Sequence, residues 1–91
     1  MLLFQAFAAP ADDNRTIANV TVETGDKGYI RVAEGFTLSC QYGVVYFDLT
    51  TPSGKGQLSM LLAAKMGNKK VKVVYNKDTS NICNLTHVTI E

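Results

Sequence analysis

One helical segment interrupts a chain of short extended runs and turns, and its position constrains the fold more than any other feature. Residues 53–66 have the apolar spacing of a helix, Thr51 and Pro52 precede them as a capped breaker, and Gly67 is a natural end. Strand patterns stand before the segment and two more follow it. A barrel of about five strands with one helix before its last two strands has the element order of the OB-fold. The sequence therefore predicts a mainly β, small OB-like barrel.

The extended runs share a period of two, with apolar residues on one face and polar residues on the other. Gly, Asp and Asn residues separate them as turns. The polar segment 11–15 shows no such period, and we expect it to be a flexible lead-in. The predicted strands are residues 17–23, 29–33, 37–40, 44–49, 71–75 and 85–90.

The first ten residues, MLLFQAFAAP, are an apolar run followed by small residues, which is typical of the end of a signal peptide. Ala6-Phe7-Ala8 has the small-x-small pattern that signal peptidase recognises. A buried N-terminal strand is the alternative, whereas a membrane span would need about twice this length. We expect residues 1–10 to be a partial leader, residues 11–91 to form a single domain, and the protein to be secreted or periplasmic.

The chain has two cysteines, Cys40 and Cys83, and an exported protein would meet conditions that allow them to pair. One disulfide closing so long a loop would stabilise the fold by about 4 kcal/mol. Two free thiols or an intermolecular bridge are the alternatives. Two cysteines and one histidine without close spacing do not supply the four ligands of a structural zinc site, so we expect neither a metal nor another cofactor.

The predicted helix has apolar residues on two faces, although a monomer needs only one. Leu58, Leu61 and Leu62 form the first stripe, and Met60, Ala63 and Ala64 form the second. The second stripe is either core, if the helix is wedged into the mouth of the barrel, or an oligomer interface. The sequence leaves both interpretations open.

Catalysis finds little support in the residue pattern. His87 is the one histidine and lies in a predicted strand. Asp12 and Asp13 fall in the polar lead-in and Asp48 ends a strand, so no pair of carboxylates is placed for acid-base work. The short 54–56 segment, Gly-Lys-Gly, lacks the frame of a phosphate-binding loop. We expect no enzymatic activity.

A basic patch surrounds one of the late strands. Its members are Lys69, Lys70, Lys72 and Lys77, with Tyr75 among them. In a nucleic-acid-binding barrel, Tyr46 and Phe47 would add stacking platforms. The formal net charge of only +1 and the predicted export argue against this function, and a solvated strand face explains the lysines. We therefore expect no nucleic-acid partner.

The segment 58–75, LSMLLAAKMGNKKVKVVY, carries a family resemblance. A cysteine precedes a strand, a helix ends in a small residue plus Gly, a V-K-hydrophobic-x-Tyr strand follows, and a second cysteine comes after a polar loop. Over about residues 16–83, the chain resembles the B subunit of subtilase cytotoxin and related pentameric OB-fold toxin B subunits.

The resemblance implies a ring of five copies with the helices lining a central pore, an A subunit as a further partner, and binding of sialylated glycans. The implied sugar contacts are Tyr75, the Thr16 hydroxyl, and the neighbouring Asn76 and Lys77, which would bond hydroxyls and a carboxylate. We expect a secreted or periplasmic, non-enzymatic glycan-binding module. The alternative is a monomeric or dimeric periplasmic OB-like protein that acts as a protein inhibitor or envelope-stress factor and binds no sugar.

Overall fold

A computed structural model describes residues 11–91, which form one closed barrel with one long helix. The barrel closes in the order β1-β2-β3-β5-β4, and all neighbouring strands are antiparallel except β3 and β5, which are parallel. The predicted small OB-like barrel is confirmed, whereas the predicted leader lies outside the described residues. The elements are β1 (Ala11–Glu23), β2 (Lys27–Val32), a one-turn 3-10 helix (Gln41–Gly43), β3 (Val45–Asp48), α1 (Pro52–Met66), β4 (Lys70–Lys77) and β5 (Cys83–Ile90).

The core fills the barrel interior because alternate residues of each strand point inward. Gly28 shows how closely the barrel is packed, since a Cβ there would lie 2.6 Å from Cζ of the Phe47 ring. The helix closes the core with Leu61 and Ala64. The largest fully buried side chains are Tyr75, Ile30, Leu61, Val44, Val45, Val71, Val73 and Cys83.

The first strand is longer than predicted, and the expected flexible lead-in at residues 11–15 is wrong. β1 begins at Ala11, and its first half pairs with β4 while its second half pairs with β2. A register shift between Asp12 and Arg15 bends the strand, with Asn14 at φ 57°. One strand can therefore serve two neighbours around the barrel.

The predicted strand at residues 37–40 is also wrong, because this segment belongs to the long connection between β2 and β3. Its backbone is held by side chains instead of a ladder. The Thr37 N–H donates to the Asp12 carboxylate at 2.9 Å, and the Leu38 N–H donates to the Tyr75 hydroxyl at 3.2 Å. These partners lie far away in sequence, so the local pattern could not show them.

The helix forms where its flanking residues predicted it. The Thr51 hydroxyl accepts a hydrogen bond from the Gly54 N–H at 2.9 Å, and Pro52 occupies the first turn. Gly67 follows the last turn, and its N–H donates to the Ala63 carbonyl at 2.9 Å. None of the helices within residues 11–91 is both long and apolar enough to cross a membrane.

The second helical stripe is partly core and partly exposed, so neither interpretation holds for all three of its residues. Ala64 is fully buried in the core cluster, so it is core and is not available as an oligomer contact. Ala63 is exposed, and Met60 is exposed over 37% of its surface. Leu62, assigned by its sequence to the first stripe, is exposed instead of buried. The helix therefore leaves an apolar strip facing outward.

The predicted disulfide between Cys40 and Cys83 is confirmed, with Cα atoms 5.5 Å apart and a sequence separation of 43. It joins the residue before the 3-10 helix to the first residue of β5. The bridge thus ties the β2–β3 connection to the parallel side of the barrel.

Candidate functional site

The outer surface of β2 and β3 carries an unusual set of aromatic and charged side chains. Because every second residue of β2 is buried, Lys27, Tyr29 and Arg31 lie on its outer face. On β3, Tyr46 and Asp48 are outward for the same reason. Short strands of alternating residues have thus placed two rings, two cations and a carboxylate on one face.

Strand register aligns this face into a row across the barrel. Thr21 is opposite Tyr29, Tyr29 is opposite Tyr46, Tyr46 is beside Asn84, and Asn84 is opposite Asn76. The rings of Tyr29 and Tyr46 meet edge to face, with centroids 5.7 Å apart and planes at 71°. A threonine, two tyrosines and two asparagines therefore lie side by side along a continuous strip.

Cations lie over both rings. The Lys27 Nζ is 5.3 Å from the centre of the Tyr46 ring, and the Arg31 Cζ is 5.7 Å from the centre of the Tyr29 ring. Within residues 11–91, no carboxylate oxygen lies within 4.0 Å of the Arg31 guanidinium. Its Nη2 donates to the Tyr42 carbonyl at 3.4 Å, so the guanidinium contacts a neutral acceptor and has no carboxylate partner among these residues.

Carboxylates share the face with these cations. Glu23, Lys27 and Asp48 are in register, so charges alternate across three strands. The Thr50 hydroxyl and N–H both donate to Oδ1 of Asp48, at 2.6 and 2.8 Å, and these hydrogen bonds lower the pKa of Asp48. No hydrogen bond from a described residue reaches Oδ2. The second oxygen is thus an unused acceptor.

Two shallow depressions adjoin on this surface, and Tyr46 lines both. The first has a volume of about 260 Å³ and the second about 210 Å³. The first is lined by Gly25, Asp26, Lys27, Tyr46, Phe47, Asp48 and Asn84. The second is lined by Glu23, Tyr29, Arg31, Tyr42, Val44 and Tyr46.

Tyr75, the principal sugar contact implied by the family resemblance, is inside the barrel. It is fully buried, its hydroxyl donates to Asp12 at 2.6 Å, and its ring packs edge to face on Phe36. Burial, together with the hydrogen bond to Asp12, raises its pKa to about 12. A ring enclosed in this way presents no face on which a sugar could stack.

Thr16 belongs to a separate polar cluster at the β1–β4 seam. Its N–H and hydroxyl each donate to the Glu34 carboxylate at 2.7 Å, and Lys70 Nζ donates to its hydroxyl at 2.7 Å. The hydrogen bonds from Thr16 lower the pKa of Glu34 to about 2. The hydroxyl is therefore already engaged on both sides by protein groups.

Asn76 and Lys77, the other implied contacts, are exposed at the end of β4. Asn76 is opposite Asn84 and so continues the row that crosses the aromatic face, whereas Lys77 is opposite Cys83. The structure thus separates the four predicted residues. Thr16 pairs with Lys70, which lies five residues before Tyr75 on β4. Of the four, only Asn76 adjoins the aromatic face.

The residues that the sequence interpretation missed are Lys27, Tyr29, Arg31 and Tyr42. The period of β2 already placed Tyr29 and Arg31 on the face opposite the apolar residues, which was an available signal. Their pairing with Tyr46 was not visible, because it depends on the register across a long connection.

Metal binding, histidine chemistry and nucleic-acid stacking each have few candidate side chains among the described residues. Within the described residues, no cluster of three or more His, Cys, Asp or Glu side chains could hold a metal ion. His87 is exposed on β5, with Nδ1 3.2 Å from its neighbour Thr86. Of the rings considered for nucleic-acid stacking, Phe47 is buried like Tyr75, and Tyr46 alone is partly exposed.

Comparison with known proteins returned no matching family model, no matching curated protein and no matching solved structure. The likeness to toxin B subunits therefore stays a prediction made from the sequence, and the geometry of the outer face is the principal guide to function.

Proposed function

We propose that this chain is a secreted or periplasmic, non-enzymatic module that holds a glycan on the outer face of β2 and β3. The observation that carries the proposal is the Tyr29–Tyr46 ring pair flanked by two depressions. Barrels of this topology bind oligosaccharides and oligonucleotides on the same two strands and on the loops between strands 1 and 2 and between strands 4 and 5.

The polar groups around the rings favour a sugar. A tyrosine ring offers an apolar surface to sugar C–H groups, and the Asp26 and Asp48 carboxylates with the Asn84 amide supply acceptors and donors for hydroxyls. The same carboxylates, together with Glu23, oppose a phosphate backbone, because such a backbone carries a negative charge at every nucleotide and would pass all three, whereas a glycan with one carboxylate can place it at Arg31. A glycan therefore fits this face better than a nucleic acid.

The surroundings also suit the acidic glycan that the family resemblance implies. Arg31 lies in the second depression with a guanidinium that no described carboxylate approaches within 4.0 Å. A guanidinium binds a carboxylate through two parallel hydrogen bonds. Arg31 would thus take the carboxylate of a sialylated glycan, and the implied contact would move from Tyr75 to this face.

Export is the part of the proposal that the disulfide supports. A disulfide between Cys40 and Cys83 persists in an oxidising compartment and is rare in the cytosol. Secretion or residence in a periplasm accounts for it.

Assembly is the second part of the proposal, and the outward strip of α1 supports it. Met60, Leu62 and Met66 are exposed, Met66 over 86% of its surface, and Ala63 lies between them. Apolar side chains gathered on one helix are typical of protein contact surfaces. We propose a homo-oligomer formed through this strip. Its specific form would be the pentamer, in contact with an A subunit, that the family resemblance implies.

A protein-binding module is the second candidate, favoured by the composition of the same face. Tyr and Arg are enriched among the residues that dominate protein interfaces, and Tyr29, Tyr42, Tyr46 and Arg31 are gathered here. In this alternative the chain is a monomeric or dimeric inhibitor or envelope-stress factor that binds no sugar.

A glycan array carrying neutral and sialylated structures tests the proposal, with wild type, Tyr46→Ala and Lys72→Ala compared at equal concentration. Wild type and Lys72→Ala should bind the same glycans, because Lys72 is exposed on β4 outside both depressions, and Tyr46→Ala should lose about tenfold in affinity, the equivalent of about 1.4 kcal/mol. Absence of any wild-type signal would reject the glycan and favour the protein-binding alternative.

Sedimentation velocity tests the assembly. The wild type should sediment as an oligomer, and the double variant Leu62→Lys, Met66→Lys should be monomeric, because charges would replace the apolar strip. Lys72→Glu, a change of exposed charge on β4, is the control and should leave the oligomer intact. A wild type that stays monomeric at high micromolar concentration would contradict this part of the proposal.

A further inference from the structure

We infer that the outer face of β2 and β3 takes two consecutive units of an oligosaccharide, with Tyr42 forming the wall of the second subsite. The inference rests on the proposed function and deepens it, because it specifies a ligand of at least two sugar units and names the residue that selects the second.

The first argument is the division of the surface. Two depressions of about 260 and 210 Å³ adjoin at Tyr46. Each is smaller than the roughly 300–1,000 Å³ of pockets that enclose drug-sized ligands, so each suits a single small ring. A monosaccharide would contact half of the available surface, whereas a ligand crossing Tyr46 would contact both halves.

The second argument is the different chemistry of the two halves. The first depression has a rim of short polar groups, namely Asp26, Asp48 and Asn84, that can fix hydroxyls. Three of the six residues that line the second are tyrosines, Tyr29, Tyr42 and Tyr46, and Glu23 and Arg31 add charges of both signs. The first unit would thus be oriented by hydrogen bonds, and the next would be held by stacking and, where it is acidic, by Arg31.

The third argument is the backbone conformation of Tyr42. Its φ of 61° is left-handed, which is costly for a bulky side chain and readily adopted by Gly or Asn. The side chain is exposed over 71% of its surface, so it contributes little to the core. Strain of this kind persists where the surroundings impose it and is frequent at ligand sites. A ring kept at a strained, exposed position beside the second depression is explained by contact with a ligand.

Two ties close to Tyr42 also connect the two subsites. Cys40 stands two residues before Tyr42, and Cys83 stands next to Asn84 of the first depression. The Gln41 N–H donates to the Asn81 carbonyl at 2.8 Å, which adds a second tie between the same segments. The disulfide therefore sets the spacing between the wall of one subsite and the rim of the other.

The experiment is a two-dimensional ¹⁵N–¹H NMR titration that yields dissociation constants for two series of probes. The first series is galactose, lactose and 3′-sialyllactose, and the second is N-acetylglucosamine, chitobiose and chitotriose. The proteins are wild type, Tyr42→Asn and the control Lys72→Ala, a change on the exposed face of β4. Asn tolerates the left-handed conformation, so Tyr42→Asn removes the ring without straining the turn, and its thermal midpoint should equal or exceed that of the wild type.

In at least one series the wild type should bind the disaccharide at least tenfold more tightly than the monosaccharide. Tyr42→Asn should reduce this ratio below threefold, and Lys72→Ala, a change at a residue that lines neither depression, should keep it. A monosaccharide that binds as tightly as its disaccharide, or a ratio that Tyr42→Asn does not change, would overturn the two-unit site while leaving the glycan proposal standing. Failure of the wild type to bind any probe of either series or any glycan of the array would overturn both.

Discussion

The hydroxyl of Tyr75 donates a 2.6 Å hydrogen bond to the carboxylate of Asp12, which is 63 residues away in sequence and only 3% exposed. The same carboxylate accepts from the Thr37 N–H, and the same hydroxyl accepts from the Leu38 N–H. One buried pair therefore joins β1, β4 and the long β2–β3 connection. This accounts for Tyr75 as a structural residue of the barrel.

Replacement of Tyr75 by Phe tests that role. The ring would be retained, but Asp12 would lose a buried donor, so the free energy of unfolding should fall by about 1–3 kcal/mol. Urea denaturation measures the change, and a loss below about 0.5 kcal/mol would show that the hydrogen bond is dispensable. Glycan affinity should not fall, since Tyr75 has no exposed face.

Acid should destabilise the fold partly through Glu34. Hydrogen bonds from the N–H and the hydroxyl of Thr16 lower its pKa from 4.5 to about 2 in the folded chain. Because the pKa of Glu34 is lower in the folded chain than in the unfolded chain, this residue stabilises the fold at pH values above about 4.5. The contribution is lost as the pH falls from about 4.5 to about 2. Because Glu34 is well exposed, the effect should be small.

Urea midpoints measured between pH 6 and pH 2 check this point. The urea midpoint should fall less steeply with decreasing pH in Glu34→Gln than in the wild type, because the glutamine side chain does not titrate. Asp13→Asn, a change at an exposed β1 residue whose carboxylate accepts no hydrogen bond from a described residue, is the comparison. Parallel curves for wild type and Glu34→Gln would contradict the assignment.

Two glycines of α1 should respond in opposite directions to Ala. A Cβ on Gly54 would overlap the carbonyl oxygen of Asp48, so the helix start would have to move away from β3. Gly54→Ala should therefore cost about 1–3 kcal/mol. Gly56 has no neighbour within 4 Å of a Cβ, and Gly56→Ala should stabilise by about 0.5–1 kcal/mol through a better helix propensity. Equal effects in thermal unfolding would show that Gly54 is not constrained by contact.

Loss of the disulfide should affect stability and the second depression together. Cys40→Ala with Cys83→Ala should lower the free energy of unfolding by about 2–5 kcal/mol. The amide of Gln41, whose N–H donates to Asn81, should exchange faster with solvent than in the oxidised wild type. If the variant loses protection at the Gln41 amide only in proportion to its loss of global stability, the disulfide does not hold the Tyr42 turn.

Much of the fold could be predicted from local patterns. The helix has its own start and end residues, the strands have their period, and the two cysteines have one intramolecular pairing. Asp12 could not be placed, because its partners are Tyr75 and Thr37 and no local signal marks a carboxylate that will be buried. The strand at residues 37–40 failed for the same reason.

The site was harder to predict than the fold. Tyr75 shares a strand face with Val71 and Val73, so its burial was implied by the period that identified the strand. The resemblance instead assigned a sugar contact to this ring, which lies inside the barrel. The pairing of Tyr29 with Tyr46 depends on closure of the barrel around an unpatterned connection, which only the structure provides.

Chemical-shift mapping with 3′-sialyllactose and chitotriose tests the central claim most directly, because it locates the bound sugar. The proposal predicts that the amides of residues 25–31, 42, 46–48 and 84 shift in a saturable way with at least one probe. Saturable shifts confined to residues around Thr16 and Tyr75, with the β2–β3 face unmoved, would contradict it.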